Sequence, residues 1–202
     1  MGYLIIILSL VFVALLWVIV SRDDPASIFT RPEKQEGNRG EYIATRIIKE
    51  VLNGEDILLT NIEVSFENSH TELDDLIINQ NGIFIIEVKN LSGDLYGDEN
   101  SPKWTKYKTT SAGNTYIKEL DNPIKQVKRQ IYILANHLRD NGFHIWVNGY
   151  VFFLKGNSPV DSEFVLKTQD DIASVLHSPG RKHLKQEEIR QLTHLLTEEQ
   201  QS

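Results

Sequence analysis

The run Gly82-Ile83-Phe84-Ile85-Ile86 reads as a strand built for burial, yet it ends in Glu87-Val88-Lys89, thirteen residues after Asp74. Taking an unpaired carboxylate or ammonium out of water costs several kcal/mol, so charges at the end of such a strand need partners. Residues two apart on a strand share a face, which sets the Glu87 carboxylate and the Lys89 ammonium side by side. Two readings meet here. One is a plain ion pair at a strand end; the other is an acid and an amine arranged for metal-assisted attack on phosphate.

The flanking pattern builds a hairpin. Leu73 to Ile78 forms one strand, Asn79-Gln80-Asn81-Gly82 the turn, and Ile83 to Lys89 the return strand. Asp74 and Glu87 then lie about five positions from the turn, at one height on adjacent strands, where both could share a cation. Ile57 to Phe66 alternates as a further strand, and Ile145 to Leu154 reads as another. Helical spacing runs from Arg39 to Leu52 and from Ile124 to Leu138, the latter opened by Asn122-Pro123. Gln126 falls in the first two turns of that second helix. Asp170 to Leu176 and Lys185 to Thr197 read as closing helices, divided by Ser178-Pro179-Gly180. Glu41 shares a face with Ala44 and Ile48, beside the apolar stripe. Its simplest role is structural, since Asn38 and Glu41 have the spacing of a capping box.

Gly2 to Val20 contains no charged residue and spans nineteen positions, which as a helix covers roughly the ~30 Å hydrocarbon core of a bilayer. No basic residue precedes it and no small-residue cleavage site follows, so it reads as a transmembrane anchor and not as a signal peptide. Arg22, Arg31, Lys34 and Arg39 lie downstream, which orients the N-terminus outside and the body in the cytoplasm. The lack of cysteine fits a reducing compartment. The expected organisation is an anchor over 1–21, a juxtamembrane linker over 22–36, a catalytic-type domain over 37–155 and a helical extension over 156–202. An alternative makes the body a secreted domain after removal of the apolar segment.

The net charge of −7 rules out a protein coated in positive potential. Positive charge is local: Lys103 to Arg129 holds seven basic residues against two acidic ones, a balance of +5. Lys103, Lys106, Lys108, Lys125, Lys128 and Arg129, with Trp104 among them, have the composition of a nucleic-acid contact, as basic groups grip phosphates and aromatic rings stack on bases. A solvated loop with a few core aromatics has the same composition. The six histidines lack metal-ligand spacing, and neither a Walker loop nor a dinucleotide fingerprint occurs.

From Glu36 to Leu154 the chain resembles the NERD (nuclease-related) domain, a branch of the PD-(D/E)xK nuclease superfamily. The resemblance rests on Gly37-Asn38-Arg39-Gly40-Glu41, Thr71-Glu72-Leu73-Asp74, Gly82 to Asn90, Gly93, Trp104 and Asn122-Pro123-Ile124-Lys125-Gln126, in the family's order. It implies an α/β fold of restriction-endonuclease type, a mixed central sheet flanked by helices, here behind one N-terminal transmembrane helix. It further implies that Asp74, Glu87, the Val88 carbonyl and Glu41 hold a metal, that Lys89 is the catalytic lysine, and that Glu41 and Gln126 belong to the catalytic site. Many members carry histidine after the aspartate, where this chain has Asp75. Hard oxygen ligands favour Mg²⁺ or Mn²⁺. The expected function is that of a membrane-anchored nuclease acting on nucleic acid, DNA before RNA. The rival expectation is a catalytically idle tethered module that binds nucleic acid or a protein.

Overall fold

The computed structural model describes residues 25–109, 113–180 and 183–198. The chain divides into two compact units, 1–38 and 39–202. In the first, the described residues are the opening turns of helix α1, Pro25–Val51, which continues into the second. The apolar run 2–20 lies outside the described residues, among which no helix is long and apolar enough to cross a membrane. The segment 22–36 reads as an aperiodic linker, but the chain is helical from Pro25 on. A helix nucleated by a packed face extends cheaply, one bond per residue, and Glu33-Lys34-Gln35-Glu36 are strong helix formers.

Unit two is built on a five-stranded mixed sheet in the order β1-β2-β3-β7-β8. Strands β1 (Ile57–Phe66), β2 (Ser69–Asn79) and β3 (Gly82–Lys89) form an antiparallel meander. Strands β7 (Val147–Phe153) and β8 (Val165–Leu166) continue from β3 in parallel. A parallel neighbour demands a crossover, and the chain supplies it through α2, Pro123–Asp140. The Asn122 side chain accepts from Ile124 N–H and caps this helix, with Pro123 in its first turn.

Both faces of the sheet are covered, which explains why β3 is apolar without alternation. Ile83 and Ile85 of β3 join Leu76 and Ile78 of β2 beneath Ile124, Val127 and Leu134 of α2 and Ile189 and Leu192 of α4, Gln186–Glu198. Phe84, Ile86 and Val88 face the other way, against Ala44 and Ile48 of α1 and Ile172 and Leu176 of α3, Gln169–His177. The mixed sheet flanked by helices is the architecture the sequence implied.

A second sheet was not legible in the sequence. Strands β4 (Asp94–Tyr96), β5 (Lys103–Thr109) and β6 (Thr115–Asp121) form an antiparallel three-stranded sheet where a charged loop was expected. Only Leu95, Trp104 and partly buried Leu120 tie it to the core, too few apolar positions to write an alternating signal. Gly93 starts it: its φ is +95°, and an added Cβ would fall 2.1 Å from the Tyr107 carbonyl oxygen. Trp104 is 1% exposed, its ring stacked on Phe153 at 5.9 Å and its indole N–H donating to the Asp98 carbonyl. Trp104→Ala should therefore cost about 3–5 kcal/mol in urea unfolding, whereas a loss below about 0.5 kcal/mol, typical of a surface position, would show that this ring does not anchor the sheet.

Candidate active site

The site forms where the central sheet forks. β1–β2 pairing runs out to Phe66↔Ser69 and β3–β7 pairing to Lys89↔Phe153, but β2–β3 pairing stops at Asp75↔Ile86. Beyond that pair each strand follows its other neighbour. Main-chain groups in the gap lose their ladder partners and need others. The Val88 N–H donates to the Asp74 carboxylate at 2.7 Å. The Gln130 amide donates to the Glu72 carbonyl at 3.1 Å and to Glu87 Oε2 at 2.7 Å, bridging the two diverging strands.

Glu87 is 2% exposed and both of its oxygens are engaged. Oε1 accepts from Gln126 Nε2 at 2.7 Å and from Lys89 Nζ at 2.5 Å, while Oε2 accepts from Gln130. The ion pair read as the plain alternative thus exists, within a larger polar cluster. Gln126 and Gln130 are one helical turn apart, so both amides of α2 reach the same carboxylate. Gln130 escaped the sequence reading. Its signal was its offset of four from Gln126 within the buried stripe of α2.

Asp74 stands across the fork from Glu87: its carboxylate takes the Val88 N–H and feels the charges of Glu87 and Lys89, while Glu87 lies on the sheet face covered by α2. The Asp74 carboxyl is pushed up to about 7, first by burial and then by the negative charge of Glu87, against the pull of the Val88 N–H and Lys89. Glu41 joins from α1. Burial raises its pKa, helped by the charges of Glu72 and Glu87. The capping role fails, because α1 begins thirteen residues before Asn38 and leaves no N-terminus there. Gly40 explains how α1 comes so near: a Cβ on it would fall 2.4 Å from Asn90 Cβ, directly after Lys89.

Asp75 points to the sheet face opposite that of Glu87. It is fully buried beneath α1, where Thr45 Oγ1 donates to Oδ1 at 2.9 Å and Oδ2 has no hydrogen-bond partner. Burial pushes its carboxyl up to about 6, opposed by the Thr45 hydrogen bond.

The basic stretch is divided among several places. Trp104 belongs to the core and presents no face to a base, which corrects the stacking role its composition suggested. Lys103 pairs with Asp121 at 2.5 Å. Lys128 pairs with Glu99 at 2.9 Å and lies over the Phe164 ring, and Arg129 donates to the His70 carbonyl. Lys125 on α2, Lys106 and Lys108 stay at least partly exposed.

Two carboxylates and a lysine thus meet at the fork of a mixed sheet, and glutamines of the crossover helix hold one of the carboxylates. Residues 36–154 match the model of the nuclease-related domain, and the chain belongs to that family. An uncharacterized protein of Bacillus anthracis is 31% identical over 74 residues, which are 36% of this chain and 35% of that protein. The chain thus spans about a third of the length of that relative. No solved structure matches it.

The donor set suits a hard divalent cation. Among the described residues no three His, Cys, Asp or Glu side chains are grouped closely enough to hold a metal. Mg²⁺, however, takes one or two carboxylates and keeps its remaining positions for water and phosphate. Asp74 and Glu87, which repel each other across the fork, and the adjoining Val88 main chain are the groups that could hold such an ion. Glu41 stands near enough to feel the Glu87 charge and to act through water.

Asp75 supplies a test of this electrostatic picture. Its folded pKa of about 6 lies above the ordinary aspartate value of 3.8, so the native state binds the proton more tightly. The stabilisation is present below the unfolded pKa and is lost as pH rises through the folded one. The difference amounts to about 3 kcal/mol. In chelator, the stability of the wild type relative to Asp75→Asn should fall by about that amount between pH 3 and 7, and a pH-independent difference in urea midpoints would refute the assignment.

Proposed function

We propose that the protein is a metal-dependent nuclease that hydrolyses phosphodiester bonds, of DNA before RNA. One observation carries the reading: Asp74, Glu87 and Lys89 meet at the fork of the sheet in a chain of the nuclease-related family. A buried cluster of this kind is poor as a stability device, since apolar residues of equal volume do as well or better. Hydrolysis needs such a cluster, because a nucleophile must approach an anion that repels it.

Asp74, Glu87 and the Val88 carbonyl would hold Mg²⁺ or Mn²⁺, which when bound neutralises phosphate charge and acidifies water. Lys89, now on Glu87 Oε1 with its side chain 21% exposed, is placed to orient the attacking water or meet charge growing on the phosphate oxygens. Gln130 keeps Glu87 Oε2 fixed while Oε1 exchanges its donors. Gln126 holds Oε1 and, once displaced, offers its amide to the substrate. Glu41, its pKa raised, can relay a proton at the rim of the site.

The full engagement of Glu87 by three donors favours a second reading, an idle module in which the cluster is only structural. The full chain with Mg²⁺ should degrade plasmid DNA, and Asp74→Ala, Glu87→Ala and Lys89→Ala should each lower the rate by at least about a hundredfold. Equal rates in all four proteins, or no degradation by the wild type with DNA or RNA, would establish the idle module.

We also propose that residues 2–20 anchor the protein in a membrane as a single-pass helix, with its N-terminus outside and the domain in the cytoplasm. The uncharged run and the basic residues after it support this reading. The intact chain should stay with membranes through carbonate extraction. Release into the supernatant would remove the anchor.

A further inference from the structure

The small sheet segregates charge by face. Its register puts Leu95, Trp104, Lys106, Lys108, Tyr116, Lys118 and Leu120 on one side and Asp94, Lys103, Glu119 and Asp121 on the other. The first side thus carries three lysines and no acid, the second three acids and one lysine, which is bonded to Asp121. In a chain of net charge −7 this is a local reversal of sign. Lys106 stands directly opposite Lys118, and Lys108 follows on the same side, diagonal to Lys118.

The basic side is also the side that faces the domain. Leu95, Trp104 and Leu120 fasten it to the core, and Trp104 stacks on Phe153, the register partner of Lys89. Through Trp104 the ribbon is thus fastened to the strand pair that carries the candidate catalytic amine. Tyr116, 60% exposed, sits opposite Lys108 and adds an aromatic plane to the row. At about 3.4 Å per residue, Lys106 and Lys108 lie about 7 Å apart along the strand, a spacing that meets successive charges of an extended polyanion and not a single small ion.

We propose that Lys106, Lys108, Lys118 and Tyr116 form the surface that receives the phosphodiester backbone of a nucleic-acid strand, with Tyr116 stacking on a base. The proposal rests on the nuclease reading for its choice of polyanion, but binding needs neither metal nor hydrolysis. Its test is the affinity of the full chain for a fluorescent single-stranded oligodeoxynucleotide in EDTA, over a series of salt concentrations. Lys106→Ser, Lys108→Ser and Lys118→Ser should each reduce the slope of log K against log salt by about 0.7, and the triple variant by about 2. Tyr116→Ala should weaken binding with the slope unchanged. Lys185→Ser, an exposed lysine beside the hairpin turn at the other end of the central sheet, controls for net charge. Unchanged affinity and slope in the triple variant would overturn the proposal, as would wild-type failure to bind. Loss of binding to phosphatidylserine vesicles alone, with oligonucleotide binding intact, would assign the face to a membrane instead. Failure of metal-dependent cleavage with these slopes upheld would sink the nuclease and leave the binding face standing.

Discussion

The parting of β2 from β3 beyond Asp75↔Ile86 is the constraint from which the polar centre follows. β2 cannot serve both neighbours once β1 leads it away, and β3 follows β7. Main-chain groups on the inner edges of the fork are then deprived of ladder partners inside a sheet covered on both faces. Side chains must replace the missing backbone. Asp74 does so for the Val88 N–H and Gln130 for the Glu72 carbonyl. The topology thus draws a carboxylate and an amide into the middle of the domain before any catalytic purpose is considered. Glu87 uses the opening.

The cluster survives because its charges are shared out. Glu87 is offset by Lys89 and two amides. Asp74 and Asp75, adjacent in sequence, meet different environments, Asp74 in the fork on the Val88 N–H and Asp75 beneath α1 on Thr45. Thr45, four residues after Glu41 on α1, fastens that helix to Asp75. Gly40 lets the same helix settle against Asn90. Together these contacts fix α1 beside β2 and β3, and the position of Glu41 at the rim is their consequence.

The strands of the hairpin were readable because strong apolar runs and a polar turn left one register that buries them. The pairing that follows from that register set Asp74 and Glu87 level, so the heart of the site was visible in sequence. Three things were not. The second sheet has both sides wet over most of its length, and its Lys-Thr-Tyr pattern looks like a loop. Residues 25–36 carry no periodicity, yet they extend a helix nucleated further on. Trp104 among lysines resembles a stacking platform, whereas burial against Phe153 needs a tertiary partner that no local pattern announces. Gln130 was hidden for the opposite reason, being a polar residue in an apolar stripe whose partner is 43 positions away.

An acidic protein that acted on a polyanion, as proposed, would meet a contradiction, since its carboxylates would repel that substrate. Distributing lysines over the whole surface would resolve it only at the cost of indiscriminate adhesion. The three-stranded sheet offers a local resolution. A strand pair alternates its side chains, so one ribbon can hold three acids toward solvent and three lysines toward the domain without altering the total charge. Screening confines each field to about 10 Å at ordinary ionic strength. On the proposed reading, attraction would then be felt only by a strand that has already come beside the ribbon.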